Sequence, residues 1–247
     1  MRLDQHLVQH GFFDTRERAQ RAIRAGAVRV DEQVITKPAF RLMDEAQVIV
    51  EDTDQLRYVS QGGHKLARAI TAFGLDFTGK TVLDIGASTG GFTDCALQHG
   101  AARVYAVDVG TGQLHPKLRD DARVVNLEQQ DLRTLTLEQI GGQPADLIVA
   151  DVSFISLTQI FPYVAPFLQR DGWGVVLIKP QFELDGRRFK GGIVREEKWR
   201  QAAIERVRAS LREYGFVLRD IVPTQADGKQ KNIEYLAWWS WPPADNP

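Results

Sequence analysis

Acidic side chains and a lysine recur in this sequence beside short apolar runs. They are Asp84, Asp108, Asp131, Asp151 and Lys179. A carboxylate accepts hydrogen bonds from hydroxyl and amino groups, and a lysine can take a proton or stabilise a forming oxyanion. If the apolar runs are parallel strands of one sheet, these side chains lie along its carboxyl edge, where ligands bind. The pattern therefore indicates a ligand site with acid–base groups beside it.

A loop of glycines and small residues follows the first of these runs. Residues 81–92 read T-V-L-D-I-G-A-S-T-G-G-F. Glycine there permits a positive φ and a close approach of the backbone to a ligand at the start of the next helix. The spacing D-x-G-x-x-x-G-G differs from the dinucleotide and P-loop patterns and fits a nucleoside-type cofactor such as S-adenosylmethionine better. The residues expected to bind it are Asp84, Gly86, Ala87, Ser88, Gly90, Gly91 and Phe92.

Three further aspartates have candidate roles in the same site. Asp108 ends the second predicted strand, where a carboxylate can accept hydrogen bonds from both ribose hydroxyls of an adenosine. Asp131 could accept one from the adenine amino group, and Asp151 would complete the cofactor contacts. Each could instead be a helix N-cap, a common position for Asp after a strand. Four acids at corresponding strand ends favour the ligand site.

The residues around Asp151 favour chemistry at an oxygen atom. Enzymes that methylate exocyclic base amines usually carry a proline-aromatic motif at this strand end, and segment 150–155 lacks one. Methylation of cytosine carbon 5 needs a thiolate, and the only cysteine, Cys95, fits a small apolar role better. Asp151 followed by Lys179 suggests methyl transfer to a hydroxyl, with Lys179 either accepting the proton or stabilising the alkoxide.

Two more charged residues could join this pair. Lys65 lies at the start of a predicted helix, and Glu234 lies in an apolar strand, where a charge is costly without a partner. Taken alone, Lys65 is typical of a solvated helix residue and Glu234 of an outward-facing strand position. With Asp151 and Lys179 they make two ammonium groups and two carboxylates, and the hypothesis requires all four to converge.

The elements that must position these residues alternate between strand and helix. Strands are predicted at 82–85, 104–108, 123–126, 147–150 and 175–178, with helices at 157–168 and 198–214. Such alternation indicates a parallel sheet covered on both faces, a doubly wound α/β fold. The last two strands, 217–222 and 233–239, follow one another without a helix. They predict an antiparallel terminal hairpin, a hallmark of the methyltransferase version of this fold.

The first fifty residues predict a separate small α+β unit. Two short helices end at Gly11 and Gly26, a hairpin turns at 31–32, and a strand follows at 46–50. Basic residues outnumber acids between 15 and 41, which suits contacts with phosphates. A solvated face without a partner is the competing interpretation. Residues expected to contact RNA are Arg2, Arg16, Arg18, Arg21, Arg24, Arg29 and Lys37, with a second patch, Arg187, Arg188 and Lys190, on a later loop.

Composition narrows the class of protein. The 247 residues carry a formal net charge of −1, so any binding of nucleic acid must come from local patches. A single cysteine excludes an internal disulfide and suits a reducing compartment. The N-terminus lacks the apolar region of a signal peptide, and no apolar run approaches a membrane-spanning length. We therefore expect a cytoplasmic protein without a membrane partner or a metal site.

Ordered motifs along nearly the whole chain resemble the TlyA-type haemolysin/rRNA methyltransferases. These proteins join an RNA-binding domain of the ribosomal-protein S-four type to an FtsJ-like 2′-O-methyltransferase domain. The resemblance lies in R-L-D at 2–4, T-R-x-R-A at 15–19, G-G-H-K-L at 62–66, the loop at 84–91, A-D-V-S-F-I at 150–155, K-P-Q-F-E at 179–183 and N-I-E-Y at 232–235. It implies an RNA-binding domain at 1–56, a linker at 57–61 and a methyltransferase domain at 62–247.

The resemblance also implies roles for the site residues. Lys65, Asp151, Lys179 and Glu234 correspond to the K-D-K-E tetrad of the 2′-O-methyltransferases. The implied reaction transfers a methyl group from S-adenosylmethionine to a ribose 2′-hydroxyl of ribosomal RNA, at a cytidine. Ribosomal subunits are the implied partners, and the chain would be a monomer or weak dimer. Three alternatives stay open: a non-catalytic protein that binds RNA or the ribosome, a membrane-active haemolysin, and a methyltransferase that acts on a small molecule or a protein.

Overall fold

The computed structural model describes residues 1–43, 45–51, 56–184, 189, 192–224 and 232–242. The chain divides into two compact units, Met1–Ser60 and Gln61–Pro247.

The first unit is a small α+β structure. Its elements are α1 (Leu3–Gln9), α2 (Arg16–Arg24), β1 (Val28–Val30), β2 (Gln33–Val34) and β3 (Val48–Val50). The strands form an antiparallel sheet in the order β2-β1-β3. The hydroxyl of Thr15 caps α2 by accepting the backbone N–H of Arg18 at 3.3 Å. Both turn residues between β1 and β2, Asp31 and Glu32, have positive φ, as a tight two-residue hairpin requires.

The second unit is built on a seven-stranded sheet in the order β6-β5-β4-β7-β8-β10-β9. Strands β4 to β8 run parallel, whereas β10 is antiparallel to both β8 and β9. The predicted fold class, a mostly parallel sheet with an antiparallel end, is confirmed. The elements are α3 (Gln61–Phe73), β4 (Thr81–Ile85), α4 (Gly91–Gln98), β5 (Arg103–Val107), α5 (Pro116–Arg119), β6 (Val124–Leu127), β7 (Ala145–Ala150), β8 (Leu168–Ile178), α6 (Pro180–Glu183), α7 (Glu197–Glu213), β9 (Val217–Pro223) and β10 (Tyr235–Ser240).

The central strands are apolar on both faces because helices cover both sides of the sheet. In β4 and β7, successive residues are buried rather than every second one. Helices α3 and α4 pack together, and α7 packs against α6. The polar ends of these strands are therefore held by a rigid, buried frame.

The predicted helix at 157–168 is wrong. The structure has three short 3₁₀ segments there, Leu157–Gln159, Phe161–Tyr163 and Ala165–Phe167. Pro162 and Pro166 each lack a backbone N–H, and each ring would clash with the preceding turn of a longer α-helix. The apolar spacing of this segment is real, since Phe161 and Val164 are buried in the core, but the prolines restrict it to single turns.

Candidate active site

A cavity of about 600 Å³ opens at the carboxyl ends of β4, β5 and β7. Its lining combines apolar side chains with several of the polar residues singled out from the sequence. Those polar residues are Ser88, Asp108, Asp131 and Asp151, and Gly86 also lies on its wall. Volume and lining are typical of a site for a small-molecule ligand.

Asp108 is fixed on the cavity wall by two backbone donors. The N–H of Ser88 donates to its Oδ2 and the N–H of Gly110 to its Oδ1, both at 2.7 Å. A carboxylate oxygen has two lone pairs, so each oxygen can accept one further hydrogen bond. The arrangement orients Asp108 to receive a pair of hydroxyl groups.

The glycine-rich loop after β4 lies directly against the loop after β7. A Cβ added to Gly86, whose φ is +79°, would stand 3.1 Å from Cγ1 of Val152 and 3.2 Å from the carbonyl oxygen of Asp151. At Gly90 a Cβ would meet Cδ1 of Leu118 at 2.3 Å. Glycine is therefore required at both positions by close packing as well as by φ. Of the other predicted loop residues, Ala87, Gly90, Gly91 and Phe92 are buried behind the loop and do not line the cavity.

Asp84 is a buried carboxyl within β4 and also does not line the cavity. The hydroxyl of Thr93 donates to its Oδ2 at 2.7 Å. Its Oδ1 has no hydrogen-bond partner within the described part of the chain. Burial raises the pKa of Asp84 to about 7, because the low-dielectric interior disfavours the charged form.

The raised pKa of Asp84 predicts a pH-dependent free energy of unfolding. The folded state holds this proton between about pH 4 and pH 7 while the unfolded chain does not, so stabilisation by the protonated carboxyl falls progressively over this range and is gone once the pH rises through about 7. Asp84→Asn cannot ionise. We expect the stability of Asp84→Asn relative to wild type to increase from pH 4 to pH 7, by up to about 1.4 kcal/mol per pH unit. Chemical denaturation across this range measures the difference, and a constant difference would contradict the prediction.

Asp131 is both a cap and part of the cavity wall. Its Oδ1 accepts the backbone N–H of Arg133 at 2.8 Å, so it caps the 3₁₀ segment Leu132–Thr134. The Arg133 guanidinium also donates to both carboxylate oxygens, and these hydrogen bonds lower the pKa of Asp131. Asp131 is therefore both an N-cap and a residue of the cavity lining. Its contact with adenine stays a prediction.

The first lysine–carboxylate pair joins the ends of β7 and β8. Lys179 is only 8% exposed. Its Nζ lies 2.7 Å from Oδ1 of Asp151 and donates to Oγ of Ser153 at 2.6 Å. Asp151 and Ser153 both line the cavity, so this ammonium group stands beside it.

The second pair joins α3 to the start of β10. Nζ of Lys65 donates to Oε2 of Glu234 at 2.6 Å, and both side chains are partly buried. Tyr235 pairs with Ile178 in the sheet. Continuing that antiparallel register by one residue brings Glu234 opposite Lys179. The four predicted residues thus form two ion pairs at neighbouring strand ends, and the Lys179–Asp151 pair stands beside the cavity.

Sequence reasoning gave no role to three residues of this region. Ser153 accepts a hydrogen bond from Lys179. Phe154 is 90% exposed, has a φ of +65°, and places its ring 5.2 Å from that of Phe182. Glu183 is a buried carboxylate. The sequence signal for all three was their place inside the motifs 150–155 and 179–183.

Most of the arginines of the first unit that were predicted to contact RNA form ion pairs with acidic side chains or donate hydrogen bonds to carbonyl oxygens. Arg24 donates to the side chain of Gln20. No carboxylate among the described residues lies within ion-pair distance of Arg24 or Lys37, and both are exposed. Arg187, Arg188 and Lys190 lie outside the described residues. Of the other predicted arginines, Arg2 and Arg16 pair with Asp4, Arg18 pairs with Asp14, Arg29 pairs with Glu51, and Arg21 donates to the carbonyl oxygen of Tyr58.

Metal-binding clusters and membrane-spanning helices are both absent from the part of the chain that the structure describes. No group of three or more His, Cys, Asp or Glu side chains there could hold a metal ion. None of its helices combines the length and the apolar character needed to cross a membrane.

Comparison with known proteins places this fold and site in a family. The FtsJ-like methyltransferase model matches residues 58–241, and the S4 domain model matches residues 1–48. Hemolysin A of Brachyspira hyodysenteriae is 42% identical over 96% of this chain and 98% of its own length. The 16S/23S rRNA (cytidine-2′-O)-methyltransferase TlyA of Mycobacterium tuberculosis is 41% identical over 96% of this chain and 88% of its own length.

Solved structures agree with this assignment. A hemolysin candidate from Streptococcus thermophilus superposes with a TM-score of 0.77 at 39% identity, over 99% of this chain and 89% of the other. A magnesium protoporphyrin IX methyltransferase from Synechocystis shares the fold alone, with a TM-score of 0.53 at 17% identity. The resemblance inferred from the motifs is confirmed: the chain belongs to the FtsJ-like methyltransferase family, within its TlyA group, and carries an N-terminal S4 domain.

Proposed function

We propose that this chain transfers the methyl group of S-adenosylmethionine to the ribose 2′-hydroxyl of a cytidine in ribosomal RNA. The observation that carries the proposal is the pair of lysine–carboxylate contacts, Lys179–Asp151 and Lys65–Glu234, at the carboxyl edge of the sheet. The TlyA relative from Mycobacterium tuberculosis is named for this reaction. Because the 2′-hydroxyl distinguishes RNA from DNA, an S4 domain and this chemistry point to the same class of substrate.

The cavity fits S-adenosylmethionine. Asp108, with one acceptor position left on each oxygen, would hold the two ribose hydroxyls, and Asp131 would receive the adenine amino group. Gly86 also lies on the cavity wall, where a side chain would crowd Val152 and the carbonyl oxygen of Asp151. When bound, S-adenosylmethionine supplies an electrophilic methyl carbon on a sulfonium sulfur.

Lys179 is the residue that acts on the hydroxyl. Its Nζ is held between Asp151 and Ser153, so it has a fixed position from which it could accept the hydroxyl proton as the neutral amine or stabilise the alkoxide as the ammonium. Lys65, on α3, and Glu234, directly before β10, would help to hold the ribose. Most of the rate acceleration would come from this orientation, which can supply roughly 7–11 kcal/mol.

Methyl transfer to ribosomal subunits tests the proposal. Subunits lacking the modification would be incubated with the protein and S-adenosylmethionine labelled in its methyl group. We expect label in one alkali-resistant dinucleotide, because a 2′-O-methyl group blocks cleavage of the adjacent linkage. Label on a base would contradict the assignment. Calorimetry that detected no cofactor binding would instead support the non-catalytic alternative.

The two exposed cations Arg24 and Lys37 are predicted to contact phosphates. A double variant, Arg24→Ala with Lys37→Ala, should weaken binding of ribosomal RNA and reduce the slope of log Kobs against log salt by about 1–2, since each phosphate contact contributes roughly 0.7–0.9. Filter binding at several salt concentrations measures this slope. Arg208→Ala on α7, which removes a half-buried arginine paired with Glu205, is the control. An unchanged slope in the double variant would remove both residues from the RNA-binding surface.

A further inference from the structure

Two short segments carry the Lys179–Asp151 pair, and they touch at more points than this pair. We call residues 151–157 the β7 loop and residues 179–183 the β8 turn, because they follow those strands. At one end of their contact, Lys179 meets Asp151 and Ser153. In the middle, the rings of Phe154 and Phe182 lie 5.2 Å apart.

Glu183 makes the contact at the other end. This side chain belongs to the β8 turn and is 2% exposed. The Ser156 hydroxyl donates to its Oε2 at 2.5 Å, and the Leu157 N–H donates to its Oε1 at 2.9 Å. Both donors belong to the β7 loop. A buried carboxylate is stable only with such partners, so Glu183 and the end of this loop hold each other in place.

The buried hydrogen bonds of Glu183 matter because the middle of the β7 loop is exposed to solvent. Ser153 and Phe154 are exposed, and Phe154 holds a positive φ that non-glycine residues seldom adopt. A loop of this kind keeps one conformation only when its ends are fixed. Strand β7 fixes the end at Asp151, and Glu183 fixes the end at Ser156 and Leu157.

We infer that Glu183 is a positioning residue for methyl transfer, holding the β7 loop and the β8 turn in the register that brings Asp151 and Ser153 to Lys179. The inference rests on the proposed function. Glu183 itself does not line the cavity, so its effect passes through the other residues. A displacement of about 1 Å in such a site can cost roughly a hundredfold in rate.

Three variants test the inference. Glu183→Ala removes both hydrogen bonds and Ser156→Ala removes one. Glu183→Gln keeps the shape: its amide oxygen can accept from the Leu157 N–H, and its NH2 group can donate to the Ser156 hydroxyl oxygen. At saturating cofactor and RNA, we expect kcat of Glu183→Ala to fall about 30- to 100-fold, with cofactor Kd and RNA KM within threefold of wild type. Glu183→Gln should stay within about threefold in kcat, and Ser156→Ala should lie between. Glu205→Gln on the exposed face of α7 is the control.

A readout independent of activity separates the inference from the proposed function. The side-chain ammonium NMR signal of Lys179, assigned by its loss in Lys179→Arg, should shift in Glu183→Ala and return in Glu183→Gln. If the wild-type protein transfers no methyl group to ribosomal subunits, the proposed function fails. The Lys179 signal then still tests whether Glu183 positions the residues around Lys179. A folded Glu183→Ala that binds cofactor fully and keeps kcat within twofold would overturn the inference. An unchanged Lys179 signal in Glu183→Ala would also overturn the inference. If Glu183→Ala does not fold, Ser156→Ala takes its place, and wild-type kcat together with a wild-type Lys179 signal in that variant would overturn the inference.

Discussion

Replacing Lys179 by methionine is expected to lower kcat for methyl transfer by about a thousandfold. Methionine keeps the length and the burial of the side chain but removes the ammonium group that Asp151 and Ser153 hold. A positioned proton-transfer group typically contributes 10²–10⁴-fold, and an electrostatic stabiliser has a comparable effect. Single-turnover kinetics with saturating cofactor measure the loss. Lys198→Met, at an exposed lysine on α7, should keep wild-type activity.

The arginine variant separates the two roles of Lys179. Arginine stays charged at all accessible pH values, so Lys179→Arg can stabilise an alkoxide but cannot accept its proton. Activity above about a tenth of wild type in this variant would leave only the electrostatic role. If Lys179→Met keeps kcat within tenfold of wild type, neither role stands and the proposed chemistry must be revised.

Replacing Asp108 by alanine is expected to raise the Kd for S-adenosylmethionine by about a hundredfold. Hydrogen bonds to a charged group contribute about 1.5–3 kcal/mol each, so the loss of two bonds to the ligand corresponds, at the lower value, to a hundredfold or slightly more. It also releases the N–H groups of Ser88 and Gly110, which orient the loop. Calorimetric titration measures the affinity. Asp108→Asn should lose less, because its remaining carbonyl oxygen can still accept.

A matched control variant shows whether a loss of cofactor affinity in Asp108→Ala is specific to the cavity. Asp120→Ala removes an exposed aspartate at the end of α5, outside the cavity lining, and should leave the cofactor Kd unchanged. An affinity within threefold of wild type in Asp108→Ala would rule out ribose recognition by this carboxylate. If both variants lose affinity equally, general loss of negative charge would be the cause.

The sequence was sufficient wherever a local pattern decides the structure. Continuous apolar runs such as β4 and β7 are typical of parallel strands that are buried on both faces. Neighbouring parallel strands also end at the same edge of the sheet. That rule alone brings Asp151 and Lys179 together. By contrast, Lys65 and Glu234 are separated by 169 positions, and only the resemblance to a family pointed to their contact.

Other features depended on tertiary contacts that no local window contains. The basic stretch at 15–41 looked unpaired, but Asp4, Asp14 and Glu51, which neutralise several of its arginines, lie outside that window. Glu183 resembles a surface acid until the fold buries it beside Ser156. At 157–168, apolar spacing and proline conflict, and the missing N–H groups of proline decide the outcome.

Strand β10 lies between β8 and β9, although both precede it along the chain. Glu234 stands directly before β10 and, of the four charged residues of the two ion pairs, is the last to be synthesised. A nascent chain can complete β4 to β8 while a gap in the sheet remains where β10 will insert. If Glu234 takes part in methyl transfer as proposed, the group of four charged residues is complete only after β10 has been synthesised and has inserted between β8 and β9.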